Sequence, residues 1–217
     1  MCLQYMGAGI LPCAMYNGKL YFLFGKENRF EDSAKGFSDF GGGTDNKESF
    51  LETAVREGSE ELTGFLGTEK ELKQMLTRNG TYTIDYDCKT HTTYRTHIFP
   101  LEYDPALPFY YNNNQRFLQK RLDPKVYKES KLFEKAEIRW ICVDDLHRSR
   151  NIFRSFFRNI VDTIVREKSE IYAFLSTIET KKPNKLHNNL NKTDKSQSQS
   201  QSQSQSQIKR KTRKMKY

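Results

Sequence analysis

The chain has 217 residues, a formal net charge of +9 and a hydrophobic content of 36%. This length suits one domain of ordinary size with its own core, followed by an additional segment. The four cysteines are scattered and form no C-x-x-C pair, which argues against a zinc site or a disulfide framework. No apolar run is long enough to cross a bilayer, and the N-terminus lacks the basic start of a signal peptide. We therefore expect an intracellular, cytoplasmic protein with reduced thiols and no membrane contact.

The positive charge is concentrated at the C-terminus. Residues 181–217 contain eleven Lys or Arg and one Asp, so residues 1–180 carry a net charge of −1. Residues 196–207 are Ser-Gln repeats, and the chain ends in IKRKTRKMKY. Such a segment buries too little apolar area to offset the entropy cost of ordering. The sequence predicts a folded domain over 1–180 and a disordered basic tail over 181–217, which leaves nuclear import and direct RNA binding open as roles for the tail.

The first half of the chain predicts a β-hairpin followed by a helix. Residues 7–15 and 20–25 have strand composition, and Asn17-Gly18 between them favours the primed turns of hairpins. A polar loop with a short extended piece follows over residues 26–40. Residues 47–62 carry apolar side chains at helical spacing, and Gly64 is suited to a left-handed helix cap.

The second half mixes strands and helices without regular βαβ alternation. The predicted elements are a helix at 68–78, strands at 81–87, 91–103 and 136–143, and a last helix at 151–175. Residues 104–132, which contain two early prolines and the stretch FYYNNN, are predicted to be irregular. The aromatic side chains of this stretch could stack on a base or pack on the core. The overall pattern predicts an α+β layered domain with a mixed sheet.

Three glutamates crowd one end of the helix at 47–62. Residues three and four apart share a helix face, so Glu57, Glu60 and Glu61 are expected to converge and to need a counter-charge. Hard divalent cations bind carboxylate oxygens, and the preceding glycine run offers backbone oxygens and close approach. The sequence therefore predicts a Mg²⁺ or Mn²⁺ site. Glu48 lies eight residues before Arg56 and is expected to pair with it, which would hold the loop against the helix.

This spacing resembles the signature of the Nudix hydrolases. Gly42 is followed after five residues by Glu48, and after seven more by Arg56-Glu57-x-x-Glu60-Glu61. Two positions depart from the family pattern: Gly58 replaces an aliphatic residue, and the closing glycine arrives one residue late, as Gly64. The first departure is expected to weaken the helix by about 1 kcal/mol or less. The resemblance spans most of residues 1–175 and implies a Nudix-type α/β/α sandwich with a mixed β-sheet.

The resemblance also implies a chemistry, namely hydrolysis of a nucleoside diphosphate linked to another moiety. By position, Glu57, Glu60 and Glu61 would hold Mg²⁺ or Mn²⁺, together with a backbone oxygen near Gly41. The general base would be Glu60, or Glu137 on the strand before Trp140.

The sequence does not identify the moiety X, which is the group linked to the nucleoside diphosphate. Removal of an mRNA cap is favoured over hydrolysis of free nucleotides, nucleotide sugars or diphosphoinositol phosphates, and a basic mobile tail is consistent with an RNA substrate. The alternative from a different class is a non-catalytic RNA- or nucleotide-binding module that kept the fold. The intact set of carboxylates argues against this alternative. The sequence indicates no oligomeric state.

Overall fold

The computed structural model describes residues 6–29, 35–45, 47–88, 92–129 and 133–179. The predicted tail at 181–217 lies outside the described residues, so the domain boundary at residue 180 stays a prediction. None of the helices in the described ranges has the length and apolar character needed to span a bilayer.

A mixed β-sheet forms the centre of the domain. Its strands in the described residues are β1 (Met6–Tyr16), β2 (Lys19–Glu27), β3 (Phe37–Ser38), β4 (Phe40–Gly43), β5 (Tyr82–Cys88), β6 (Thr92–Pro100) and β7 (Lys135–Cys142). The strand order is β3-β2-β1-β6-β5, with β4 paired to β1 and β7 paired to β2. The β1–β6 pair is parallel and the other pairs are antiparallel. The predicted hairpin is present, because Asn17 and Gly18 both have positive φ and Tyr16 pairs with Lys19.

Helices cover both faces of the sheet. They are α1 (Phe50–Glu61), α2 (Glu69–Asn79), α3 (Ala106–Arg121), α4 (Pro124–Glu129), α5 (Val143–Leu146), α6 (Phe157–Arg166) and α7 (Lys168–Glu179). One core contains Phe22, Phe157, Ile160, Ile164 and Ile171. The other contains Ile10, Leu23, Ala54, Leu72 and Tyr111. Neighbouring residues of one strand enter opposite cores because strand side chains alternate between faces. The predicted α+β class, with a mixed sheet between two helical layers, is confirmed.

The prediction of irregular structure at 104–132 is wrong, because most of this segment forms α3 and α4. Pro105 is the N-cap residue of α3 and Pro108 lies in its first turn, where the missing N–H has no intrahelical partner to lose. The prolines therefore mark the start of a helix and do not prevent one.

The predicted continuous helix at 151–175 is also wrong. Phe153 forms a bridge with Phe37 of β3, and the Arg154 N–H donates to the Phe37 carbonyl at 3.0 Å. This segment therefore pairs with a strand, and α6 begins only at Phe157. A further break separates α6 from α7 at Glu167. The apolar stripe continues across both interruptions, which is why periodicity did not reveal them.

Candidate functional site

The site is built where β4 leads into α1. Ser49 caps the helix, and its hydroxyl accepts from the Glu52 N–H while the Glu52 side chain accepts from the Ser49 N–H. At the other end, Thr63 and Gly64 both adopt left-handed backbone conformations, with φ of 49° and 77°. The helix is thus fixed at both ends, and the glutamates of its last two turns have defined directions.

Arg56 organises the surface side of this site. Its Nε and Nη2 donate to the two oxygens of Glu48, at 2.9 and 3.0 Å. Nη2 also donates to the Gly43 carbonyl at 3.0 Å, and Nη1 donates to Glu57 Oε1 at 2.7 Å. The contact between Glu48 and Arg56 that the spacing predicts is therefore present and bidentate. Hydrogen bonding from Arg56 lowers the pKa of Glu48 to about 2, and the same bonds raise the pKa of Arg56.

Four carboxylates surround this one guanidinium. Besides Glu48 and Glu57, Asp45 lies 3.8 Å and Glu60 lies 3.9 Å from its nitrogens. We call Asp45, Glu48, Arg56, Glu57 and Glu60 the Arg56 cluster. A single positive charge does not neutralise four negative ones, so the cluster is an electrostatically favourable place for a divalent cation.

The glycine of β4 that precedes this cluster makes room for a carboxylate. A Cβ atom on Gly42 would lie 2.5–2.7 Å from the carboxyl atoms of Glu57. The absence of a side chain therefore lets Glu57 pack directly on the strand. This is a physical reason for the first glycine of the signature.

Glu61 faces a different environment from Glu57 and Glu60, which lie near Arg56. Its side chain is buried, with Oε2 accepting from the Gly41 N–H at 2.9 Å and Oε1 at 3.1 Å from the Lys135 ammonium. Within the described ranges, no group of three or more His, Cys, Asp or Glu side chains is arranged to hold a metal ion. Glu57, Glu60 and the glycine backbone fit a divalent cation as oxygen donors, whereas Glu61 is engaged with Lys135. The metal site itself stays a prediction.

The interior contains a second set of charges, which sequence reasoning missed. Lys135 is fully buried and its ammonium contacts Glu27, Glu61 and the Ser38 hydroxyl. Arg154 Nη1 donates to Glu27 Oε1 at 2.8 Å. We call Glu27, Glu61, Lys135 and Arg154 the buried ion cluster. Burial lowers the pKa of Lys135, but the Glu61 and Glu27 carboxylates outweigh this effect and the net change is upward.

Asp39 lies beside this cluster, where the chain passes from β3 to β4. It is buried, and it accepts hydrogen bonds from the Tyr94 hydroxyl at 2.9 Å and the Thr96 hydroxyl at 2.8 Å. Burial raises the pKa of Asp39 to about 6. A Cβ on Gly41 would lie 2.4 Å from the Tyr94 hydroxyl oxygen, so glycine at this position lets β4 approach β1 and β6 closely.

The departure from the family pattern at Gly58 has a packing explanation. A Cβ at this position would lie 2.4 Å from the Ile10 Cδ1 atom of β1. Glycine therefore allows α1 to lie close to the sheet. This closer packing offsets the lower helix propensity of glycine, and the expectation from the sequence did not take it into account. The same close approach brings Glu61 within reach of the Gly41 N–H.

A cleft of about 390 Å³ opens next to the buried ion cluster. Four basic residues line it, namely Lys26, Arg29, Lys35 and Arg116. The carboxylic residues of its lining are Glu27 and Glu137. Glu27 connects the cleft to Lys135, and Glu137 is partly exposed on the cleft and pairs with Lys26 at 3.8 Å and with Arg139. The cleft thus has the basic lining that phosphate groups require, and it contains one of the two candidate general bases.

Trp140, which follows Glu137 on β7, does not line this cleft. Its indole N–H donates to the Asp104 carbonyl at 2.9 Å, and its ring lies 5.3 Å from the Tyr103 ring, centroid to centroid. This arrangement agrees with a packing role for Trp140.

Comparisons with known proteins give similarities to solved structures only, since no family model and no curated protein matches the chain. An Ap4A hydrolase of C. elegans in a binary complex is 16% identical, with 78% of this chain and 98% of that chain covered and a TM-score of 0.44. A Nudix hydrolase from M. smegmatis is 16% identical, with coverages of 79% and 90% and a TM-score of 0.47. The Nudix domain of S. oneidensis NrtR complexed with ADP ribose is 10% identical, with coverages of 79% and 90% and a TM-score of 0.44. The function of this chain is therefore inferred from its own residues.

Proposed function

We propose that this chain is a metal-dependent hydrolase of the Nudix type, which cleaves a pyrophosphate bond in a nucleoside diphosphate linked to another moiety. One observation carries the proposal. Arg56 joins Glu48, Glu57 and the Gly43 carbonyl in a single network, so that the separated residues of the signature meet at one place. A solvated amphipathic helix would not need this bidentate pair or a glycine packed against a carboxylate.

The metal would bind at the surface side of α1. Glu57 and Glu60 would supply carboxylate oxygens and Gly41 a backbone oxygen, with Glu61 meeting the same strand from the interior. When bound, Mg²⁺ or Mn²⁺ would neutralise the pyrophosphate and lower the pKa of a water molecule.

The protein's own residues bind and orient the substrate. Lys26, Arg29, Lys35 and Arg116 would hold phosphate oxygens in the cleft, and Arg56 keeps Glu57 in place against Gly42. The general base is Glu60 on α1 or Glu137 on the cleft. Glu137 is paired with Lys26 and with Arg139, and these two contacts would orient its carboxylate on the cleft.

Among the possible substrates we propose the mRNA cap. Its pyrophosphate is attached to a polyanionic strand, and both the basic cleft and the basic residues of 181–217 would interact with such a strand. The competing substrates are free nucleotides, nucleotide sugars and diphosphoinositol phosphates. An RNA substrate would be met in the cytoplasm, or in the nucleus if the basic C-terminus directs import.

A hydrolysis panel tests the proposal. The full chain is incubated with Mg²⁺ or Mn²⁺ and capped RNA, ADP-ribose, dinucleoside polyphosphates or nucleoside triphosphates, and the products are separated by chromatography. We expect Glu57→Gln and Glu60→Gln to lose about 10²-fold or more of the turnover, the scale of a lost catalytic group. Glu69→Gln, an exposed glutamate on α2, is the matched control and should keep wild-type turnover. Full activity of both α1 variants at saturating Mn²⁺ would contradict the metal assignment, and no hydrolysis of any substrate would favour the binding-module alternative.

The choice of general base has its own test. If Glu137 is the base, Glu137→Gln should slow single-turnover cleavage by about 10²–10⁴-fold while the substrate affinity changes little. A loss of only a few-fold would leave Glu60 as the base and make Glu137 a residue that orients Lys26 and Arg139.

A further inference from the structure

The outward face of α3 carries aromatic and basic side chains together. Its members, which we call the aromatic-basic face, are Phe109, Tyr110, Asn113, Arg116, Phe117, Lys120 and Arg121. At about 100° per residue these positions fall within an arc of roughly 140°. Phe109, Tyr110 and Phe117 are 62%, 63% and 58% exposed, which is unusual for side chains that normally lose water on folding.

The opposite side of α3 is bonded to the rest of the domain, which does not explain why these aromatic residues face solvent. Tyr111 is buried and its hydroxyl donates to the Glu61 carbonyl at 2.7 Å. The Asn112 amide bonds both backbone groups of Ile138 on β7, at 3.1 and 2.8 Å. The aromatic residues of the stretch FYYNNN therefore differ in position. Tyr111 packs in the core, whereas Phe109 and Tyr110 lie on the surface, where they could stack on a base.

The charge of this face is uniform. Residues 106–121 contain Arg116, Lys120 and Arg121 and no acidic residue. The Arg121 guanidinium lies 5.7 Å from the Phe117 ring centre, so charge and ring are already adjacent. Interfaces for folded proteins are also enriched in aromatic side chains and Arg, but they are depleted in Lys. A single-stranded nucleic acid needs both a positive surface for its phosphates and aromatic rings for its bases, and this face offers both.

The face is continuous with the cleft. Arg116 belongs to α3 and also lines the cleft, as do Glu137 and Lys26. From Arg116 the aromatic-basic face extends along the helix through Phe117 to Arg121. A chain bound in the cleft by its phosphates would therefore meet the exposed rings as it leaves.

We propose that the aromatic-basic face binds single-stranded RNA, with unpaired bases stacked on Tyr110 and Phe117 and phosphates held by Arg116, Lys120 and Arg121. The inference builds on the proposed function, because it assigns the strand that follows the reacting pyrophosphate to a defined surface of the folded domain.

Binding is measured without catalysis. Fluorescence anisotropy follows the full chain with an uncapped, fluorescein-labelled RNA of twelve unpaired nucleotides in EDTA. Stacking on one aromatic ring typically contributes about 1–3 kcal/mol, so Phe117→Ala and Tyr110→Ala should each weaken binding by about five-fold or more. Lys120→Gln and Arg121→Gln should each reduce the slope of log K against log salt by about 0.7. A duplex of the same sequence should bind more weakly, because its bases are not available for stacking.

Matched controls lie elsewhere on the surface. Tyr16, the last residue of β1, is 44% exposed, and Lys70 is exposed on α2. Tyr16→Ala and Lys70→Gln remove the same chemistry away from α3 and should bind RNA like the wild type. Thermal melts establish that each variant is folded.

The outcomes separate the two proposals. Wild-type RNA affinity and salt slope in the α3 variants would overturn the inference. The inference would also be overturned if Phe117→Ala changed self-association in sedimentation but left the RNA affinity unchanged, because the face would then be a protein interface. Face-dependent RNA binding without any hydrolysis would support the inference and contradict the enzyme. Hydrolysis of small substrates with no contribution of α3 to RNA binding would support the enzyme and overturn the inference about the aromatic-basic face.

Discussion

The Arg56 cluster and the buried ion cluster share helix α1 but differ in charge balance. The first has an excess of negative charge, whereas the charges of the second are balanced. Glu57 and Glu61 are one turn apart on α1, yet Glu57 belongs to a partly exposed group with four carboxylates around one guanidinium. Glu61 lies in an interior where two carboxylates meet two cations, Lys135 and Arg154. The interior must supply its own counter-charges because water cannot, whereas the surface group can accept a cation from solution. Glu57 and Glu60 thus lie on the partly exposed side of α1, where the proposed metal would bind.

Breaking the buried ion cluster should have the largest effect on stability. Lys135→Met removes the cation between Glu27 and Glu61, so that Glu27 keeps its contact with Arg154 while Glu61 loses its ammonium partner. Removing one partner of a buried pair typically costs about 3–5 kcal/mol, and we expect this loss in the free energy of unfolding in urea. Lys26→Met is the control, since Lys26 is exposed and pairs with Glu137 at 3.8 Å, and it should change stability by about 0.5 kcal/mol or less.

The double variant Lys135→Met with Glu61→Gln sharpens this result. If the penalty arises from an uncompensated charge on Glu61, removing that charge should restore part of the lost stability. Strict additivity of the two single changes would show that Lys135 and Glu61 are not coupled, in conflict with the 3.1 Å contact.

The Arg56 cluster should respond less strongly and should depend on pH. Glu48→Gln removes one charge of the bidentate pair, and we expect a loss of about 1–2 kcal/mol at pH 7 because the pair is partly solvated. The pKa of Glu48 is lowered from 4.5 to about 2 in the folded state. The stability contributed by its ionisation is therefore complete above pH 4.5 and is lost as the pH falls towards 2.

Urea unfolding of the wild type and Glu48→Gln across this pH range measures the effect. The difference between the two proteins should shrink as the pH falls from 4.5, and it should also shrink in high salt. Glu69→Gln serves as the control outside the cluster. A difference that is constant from pH 7 to pH 2 would mean that the Glu48 charge contributes nothing through Arg56.

The two clusters also show what the sequence can reveal. The Arg56 cluster lies within residues 45–60, so spacing along one loop and one helix was enough to predict that Glu48 meets Arg56. The buried ion cluster joins β2, α1, β7 and the segment before α6, and its members are brought together only by the order of strands in the sheet. Nothing in the sequence marked Lys135 as buried, because a lysine just before a predicted strand is ordinarily solvated.

The end of α1 should give the smallest change, and in the opposite direction. Thr63 has φ of 49°, a left-handed conformation that β-branched residues rarely adopt, and within the described residues its buried hydroxyl has no hydrogen-bond partner. Relief of the backbone strain is worth about 1–2 kcal/mol and is partly offset by the greater entropy of glycine in the unfolded chain. Thr63→Gly should therefore stabilise the protein by about 1 kcal/mol, a rise of about 2–4 °C in Tm. Thr63→Ala removes the hydroxyl but keeps the strain, so it should gain less. A lower Tm for Thr63→Gly than for the wild type would show that this helix end depends on the threonine side chain.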